Sequence, residues 1–113
     1  MKISVFGNPD LAADNAALKL IPGLKKKYPQ AEIMVEDPAE GLKPADDWII
    51  VDVCQGISRV TEFEDLDRFV AVRRLSVHDY DLAMELKLLK KLGKIKKLKI
   101  IGVPSGYSQT ASP

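Results

Sequence analysis

The sequence has one cysteine, almost no net charge and no long apolar run. Each of these features excludes a class of protein. Its single cysteine, Cys54, cannot form an internal disulfide, which fits a reducing compartment. No apolar run approaches the ~20 residues that cross a bilayer, and the apolar start is too short for a signal peptide. We therefore expect a cytoplasmic protein that does not insert into membranes.

The charge balance, a turn motif and the length further limit the ligands and the number of domains that we expect. Lysine and arginine number 17 against 16 aspartates and glutamates, a formal net charge of +1, so no overall field attracts nucleic acid. The turn Gly7-Asn8-Pro9 is neither a GxGxxG nor a Walker A loop. A length of 113 residues suits one domain, 1–113, in which 107–113 has the composition of a flexible tail.

Strand and helix patterns alternate along the chain. The apolar, β-branched segment 48–53 is typical of a central strand covered on both faces, whereas 32–36 alternates like an edge strand. The other predicted strands are 3–6, 60–63 and 98–103. The predicted helices are 14–28, with a kink or break at Pro22-Gly23, and a second that runs from a capping box at Ser76 to Gly93. This order predicts an α/β three-layer sandwich with a mostly parallel sheet and helices on both faces.

Three polar residues are predicted to meet at one edge of this sheet. Asp14 opens the helix after the first strand, Asp52 ends the central strand, and His78 begins the second long helix. Ligands of open α/β sheets bind outside the carboxyl ends of the strands. If the strands are parallel, the three residues form one site of two carboxylates and an imidazole.

Each of these residues also has an ordinary structural explanation. Asp14 could complement its helix dipole, which is worth ~0.3 to 1 kcal/mol. Asp52 could cap neighbouring loop amides, although a carboxylate among apolar residues needs some compensating partner. His78 is the only histidine, and a lone histidine is usually structural. Cys54 could act as a nucleophile with His78 as its base, but a cysteine in a buried strand is more often inert.

Two carboxylates and an imidazole suit a borderline divalent ion such as zinc, nickel, cobalt or manganese. Three protein ligands also leave a coordination position open for water or a substrate atom. Without a metal, two close aspartates could instead share a proton and divide the acid and base roles of a hydrolase.

Several motifs in this order resemble the NiFe-hydrogenase maturation endopeptidases. Gly7-Asn8 followed by Asp14 resembles the first motif of that family, the strand ending in Asp52 resembles its second, and Ser76-Val77-His78 resembles its histidine motif. The segment 98–104 is similar to its last central strand. The resemblance thus covers about the whole chain.

The resemblance implies a metal-dependent endopeptidase that removes the C-terminal extension of a NiFe-hydrogenase large-subunit precursor after nickel insertion. It implies that Asp14, Asp52 and His78 are both metal ligands and catalytic residues, and that Asn8 and Asp37 support these ligands. The ion would be nickel carried by the substrate, although zinc or a similar ion could occupy the site. The sequence has no segment like the C-terminal helix of that family, which leaves open a non-catalytic relative that binds a metal-bearing partner.

Overall fold

A computed structural model describes residues 1–6, 16–37, 40–54, 57–70 and 77–105, and for 77–80 it describes the backbone only. The five strands are β1 (Lys2–Phe6), β2 (Glu32–Glu36), β3 (Asp47–Val53), β4 (Thr61–Phe63) and β5 (Lys97–Val103). The helices are a short 3₁₀ helix (Ala17–Leu20), α1 (Ile21–Lys27), α2 (Leu66–Val70) and α3 (Val77–Lys91). All five predicted strands are therefore present, within two residues of their expected bounds.

The strands form one sheet in the order β2-β1-β3-β5-β4. Strands β1, β2, β3 and β5 are mutually parallel, and only β4 runs antiparallel to its neighbour β5. The central position of β3 and the edge position of β2 are confirmed. Because four strands share one direction, their carboxyl ends lie at the same edge of the sheet.

Helices cover both faces of this sheet, so the predicted three-layer α/β sandwich is confirmed. Alternate residues of β3 point to opposite faces: Trp48 and Ile50 to one, Ile49 and Val51 to the other. The first face packs against α2 and α3 through Phe69, Leu82, Ala83 and Leu86. The second packs against the 3₁₀ helix and α1 through Ala17 and Leu24. Because β3 is buried on both faces from Trp48 onward, this part of the strand is apolar except for Asp52.

The helix ends follow local sequence signals. Pro22 lies in the first turn of α1, where its missing N–H costs nothing, so the predicted break falls at Ile21 and a 3₁₀ turn precedes it. At the end of α3, Gly93 adopts a positive φ of 77°, and Lys94 N–H donates to the Leu89 carbonyl over 2.9 Å. Together with a 3.1 Å hydrogen bond from Gly93 N–H to the Lys90 carbonyl, this bond forms a Schellman motif and confirms the predicted C-cap glycine.

The sequence analysis did not resolve α2 as a helix of its own. Its two predicted helices are 14–28 and the one from Ser76 to Gly93, whereas the structure has a further helix at Leu66–Val70. In the structure, the Asp65 carboxylate accepts a 2.8 Å hydrogen bond from Asp67 N–H and so satisfies a free amide at the start of α2. Within the described ranges, none of the helices has the length and apolar character needed to traverse a bilayer.

Candidate functional site

Asp52 lies near the carboxyl end of β3 and is only 6% exposed. It follows Trp48 and Ile50 at intervals of two, so its side chain is on the sheet face that α2 and α3 cover. A carboxylate in such a layer loses most of its hydration, which is costly unless a charge or donor compensates for it. The predicted burial of Asp52 at this edge is confirmed.

The backbone of α3 brings His78 to the same edge. Helix α3 ends at Lys91 and turns through Gly93 into the amino end of β5, so it returns across the sheet against the direction of β5. Its 15 residues span about 22 Å, and the seven residues of β5 span about 23 Å. Because these lengths match, the first turn of α3, which contains His78, begins at the level where β5 ends.

Asp52 and the backbone of His78 therefore share one edge and one face of the sheet. Asp14 and Asn8 lie outside the described residues, in the segment 7–15 that follows β1 along the chain. Within the described part of the chain, no three histidine, cysteine, aspartate or glutamate side chains group as metal ligands. Asp14 and the side chain of His78 are not among the described parts of the chain. The grouping of Asp14, Asp52 and His78 therefore stays a prediction.

Asp37 follows β2 and is exposed at the same edge of the sheet. Its backbone carbonyl accepts a 3.0 Å hydrogen bond from Glu40 N–H. Strand β1 separates β2 from β3, so their axes are about 10 Å apart. The role of Asp37 as a support for the metal ligands stays a prediction.

Gly102 is a feature of the site that the sequence analysis did not identify. It is the register partner of Asp52 on β5, so a side chain here would point to the same face as the carboxylate. A Cβ atom at this position would lie 3.1 Å from Ile57 Cδ1 and 3.2 Å from Phe63 Cε2. A glycine inside a strand pattern signals such a close approach, and this was the available clue.

Cys54 is 1% exposed and packs in the same layer as Asp52. Its backbone N–H donates to the Val103 carbonyl over 2.8 Å, which extends the pairing of β3 with β5. A thiol this deep in an apolar layer is out of reach of a substrate in solution, whereas reactive cysteines are partly exposed. The structure favours the packing role of Cys54.

Comparison with solved structures places this architecture among known proteins. The hydrogenase maturating endopeptidase HybD from E. coli superimposes with a TM-score of 0.61 at 22% identity, covering 96% of this chain and 77% of that one. The chain has the fold of the hydrogenase maturation endopeptidases. The NiFe hydrogenase maturation protease HybD from Thermococcus kodakarensis gives a TM-score of 0.59 at 20% identity, covering 92% of this chain and 80% of that one.

An endopeptidase from Escherichia coli, known from a solution structure, is 26% identical to this chain. Its TM-score is 0.58, and the match covers 92% of this chain and 74% of that protein. No protein-family model matches the sequence, and no curated protein matches it. The structural matches are what confirm the resemblance noted in the sequence motifs, because this chain shares the fold of the hydrogenase maturation proteases.

Proposed function

We propose that this protein is an endopeptidase that removes the C-terminal extension of a NiFe-hydrogenase large-subunit precursor after nickel has been inserted. The observation that carries the proposal is the buried Asp52 near the carboxyl end of β3. Its side chain is on the sheet face that α3 covers. Further support comes from the fold shared with proteins named as hydrogenase maturation proteases.

In this proposal Asp14, Asp52 and His78 hold the nickel that the precursor carries. The donor set fits such an ion, since carboxylate and imidazole both suit borderline divalent metals. Holding the precursor by its own metal would fix the scissile bond in register with the protein, and such positioning is a major source of rate enhancement. A precursor without nickel would lack this anchor, so cleavage would wait for metal insertion.

The position of Asp52 suits a hydrolytic step. Asp52 is held rigidly by the central strand and is largely shielded from water, so it can orient a bound group. One of the two aspartates would accept a proton from the attacking water and then donate it to the amine nitrogen of the departing C-terminal peptide as the scissile amide is hydrolysed. His78, at the start of α3, would complete the ligand set from the helix layer.

The direct test is to incubate the protein with the large-subunit precursor in nickel-loaded and nickel-free forms and to measure intact masses. We expect the loaded precursor to lose a C-terminal peptide and the nickel-free precursor to keep its mass. Co-purification measures binding in the same samples. Stable binding of the loaded precursor with no mass loss would contradict the endopeptidase and support the non-catalytic, partner-binding alternative.

A further inference from the structure

A cleft of about 520 Å³ lies at the amino-terminal edge of the sheet, opposite the edge that carries Asp52. We call it the amino-edge cleft. Asp47 and Lys97, the first residues of β3 and β5, form part of its wall, and Tyr28 forms another part. Its volume is within the range of sites that bind ligands, about 300 to 1,000 Å³.

Lysines dominate the charge of the amino-edge cleft. Four line it, Lys90, Lys96, Lys97 and Lys99, against two carboxylates, Asp47 and Glu64. The Lys99 ammonium is already used, because it lies 3.1 Å from the Glu62 carboxylate across the β4–β5 pair. The hydrogen bond and charge of Glu62 raise the pKa of Lys99, so it stays protonated.

The other three lysines form no ion pair with any carboxylate in the described part of the chain. Lys90 has a structural explanation, since it lies in the last turn of α3 and complements the helix dipole. Lys96 and Lys97 have no such explanation. They lie where the chain enters a strand, with exposed side chains beside a cleft.

The composition of the cleft favours a peptide over a phosphate group as its ligand. It contains no arginine, the side chain that best matches a phosphate with paired donors. The backbone N–H groups of Lys96 and Lys97 are already bonded to the Asp46 carbonyl, at 3.0 and 2.7 Å, so they cannot form an anion nest. The carboxylate of Asp47 could accept hydrogen bonds from peptide N–H groups, which are donors that a phosphate group lacks.

We propose that the amino-edge cleft binds an acidic peptide segment of a protein partner, with the ammonium groups of Lys96 and Lys97 pairing its carboxylates. Tyr28 supplies an aromatic surface for the less polar parts of such a segment. The proposal does not depend on the proposed protease function, because it concerns the opposite edge of the sheet. A partner held here would leave the Asp52 edge accessible.

The test uses fluorescence anisotropy with a fluorescein-labelled hexaglutamate peptide and its hexaglutamine counterpart. We expect saturable binding of the hexaglutamate only. Lys96→Glu combined with Lys97→Glu should weaken it about tenfold or more, since it replaces two attractive pairs by repulsion. The matched control is Lys25→Glu with Lys26→Glu, an equal change of charge at exposed residues of α1 outside the cleft, which should change the affinity less than about twofold.

Two further measurements keep the test decisive. The milder pair Lys96→Gln with Lys97→Gln should also weaken binding, and the emission of the buried Trp48 would show that each variant is folded. Equal losses in the cleft pair and the control pair would overturn the proposal, because general electrostatics would then explain the binding. Saturable binding of inorganic tripolyphosphate without binding of the peptide would also overturn it.

Discussion

Replacing Asp52 by asparagine is expected to slow processing of the nickel-loaded precursor by about 100-fold or more while the protein stays folded. The substitution keeps the shape of the side chain but removes the negative charge that a metal ligand or a general base requires, and such groups contribute about 10²- to 10⁴-fold. Asp52 is the only carboxylate among the buried residues of the described chain, so solvent cannot easily replace it. The measurement is the initial rate of appearance of the shortened precursor, followed by intact mass.

The matched control is Glu32→Gln on β2. Glu32 is the first residue of that strand and is exposed at the opposite edge of the sheet, so the loss of its charge should leave the processing rate within about twofold. If Asp52→Asn processes the precursor as fast as Glu32→Gln does, Asp52 has no chemical role and the proposed site is wrong.

A valine at position 102 is expected to destabilise the protein by about 1 to 3 kcal/mol, the usual cost of overpacking. The Cβ atom alone would meet Ile57 Cδ1 and Phe63 Cε2 at 3.1 and 3.2 Å, and valine adds two methyl groups beyond it. The measurement is the free energy of unfolding from urea titration. Because Gly102 is the register partner of Asp52, the same variant should also slow processing.

A second substitution separates packing from other causes. Ile57→Val removes the Cδ1 methyl group that is nearest to the introduced Cβ, so Gly102→Val should cost less in that background. Gly102→Ala should have a smaller effect than Gly102→Val in either background. Equal costs with isoleucine and with valine at position 57 would show that this close approach does not determine the need for glycine.

The sheet was predictable because its central strand is unusual. Only a strand covered on both faces tolerates the run from Trp48 to Val53, and that run fixed β3 in the middle of the sheet. The parallel direction of the neighbouring strands followed from the helices between them. The antiparallel direction of β4 could not be read in advance, because a three-residue strand carries too little pattern to reveal its direction.

The location of the candidate site on the sheet could be predicted from the sequence, but the side-chain contacts around it could not. Topology alone indicated that the end of β3 and the start of α3 share an edge, and the lengths of α3 and β5 match as this arrangement requires. The grouping of Asp52 with Asp14 and His78 stays a prediction. The close approach at Gly102 depends on Ile57 and Phe63, which come from other parts of the chain. No local pattern encodes such a tertiary contact.

The central claim is that Asp14, Asp52 and His78 bind one ion, and zinc titration followed by NMR tests it most directly. The chain contains a single histidine, so the imidazole signals belong to His78 in protein without an affinity tag. The account predicts that Zn²⁺ shifts these signals and that Asp14→Asn and Asp52→Asn each move the midpoint about tenfold or more to higher Zn²⁺. Identical midpoints in the wild-type protein and both variants would contradict it.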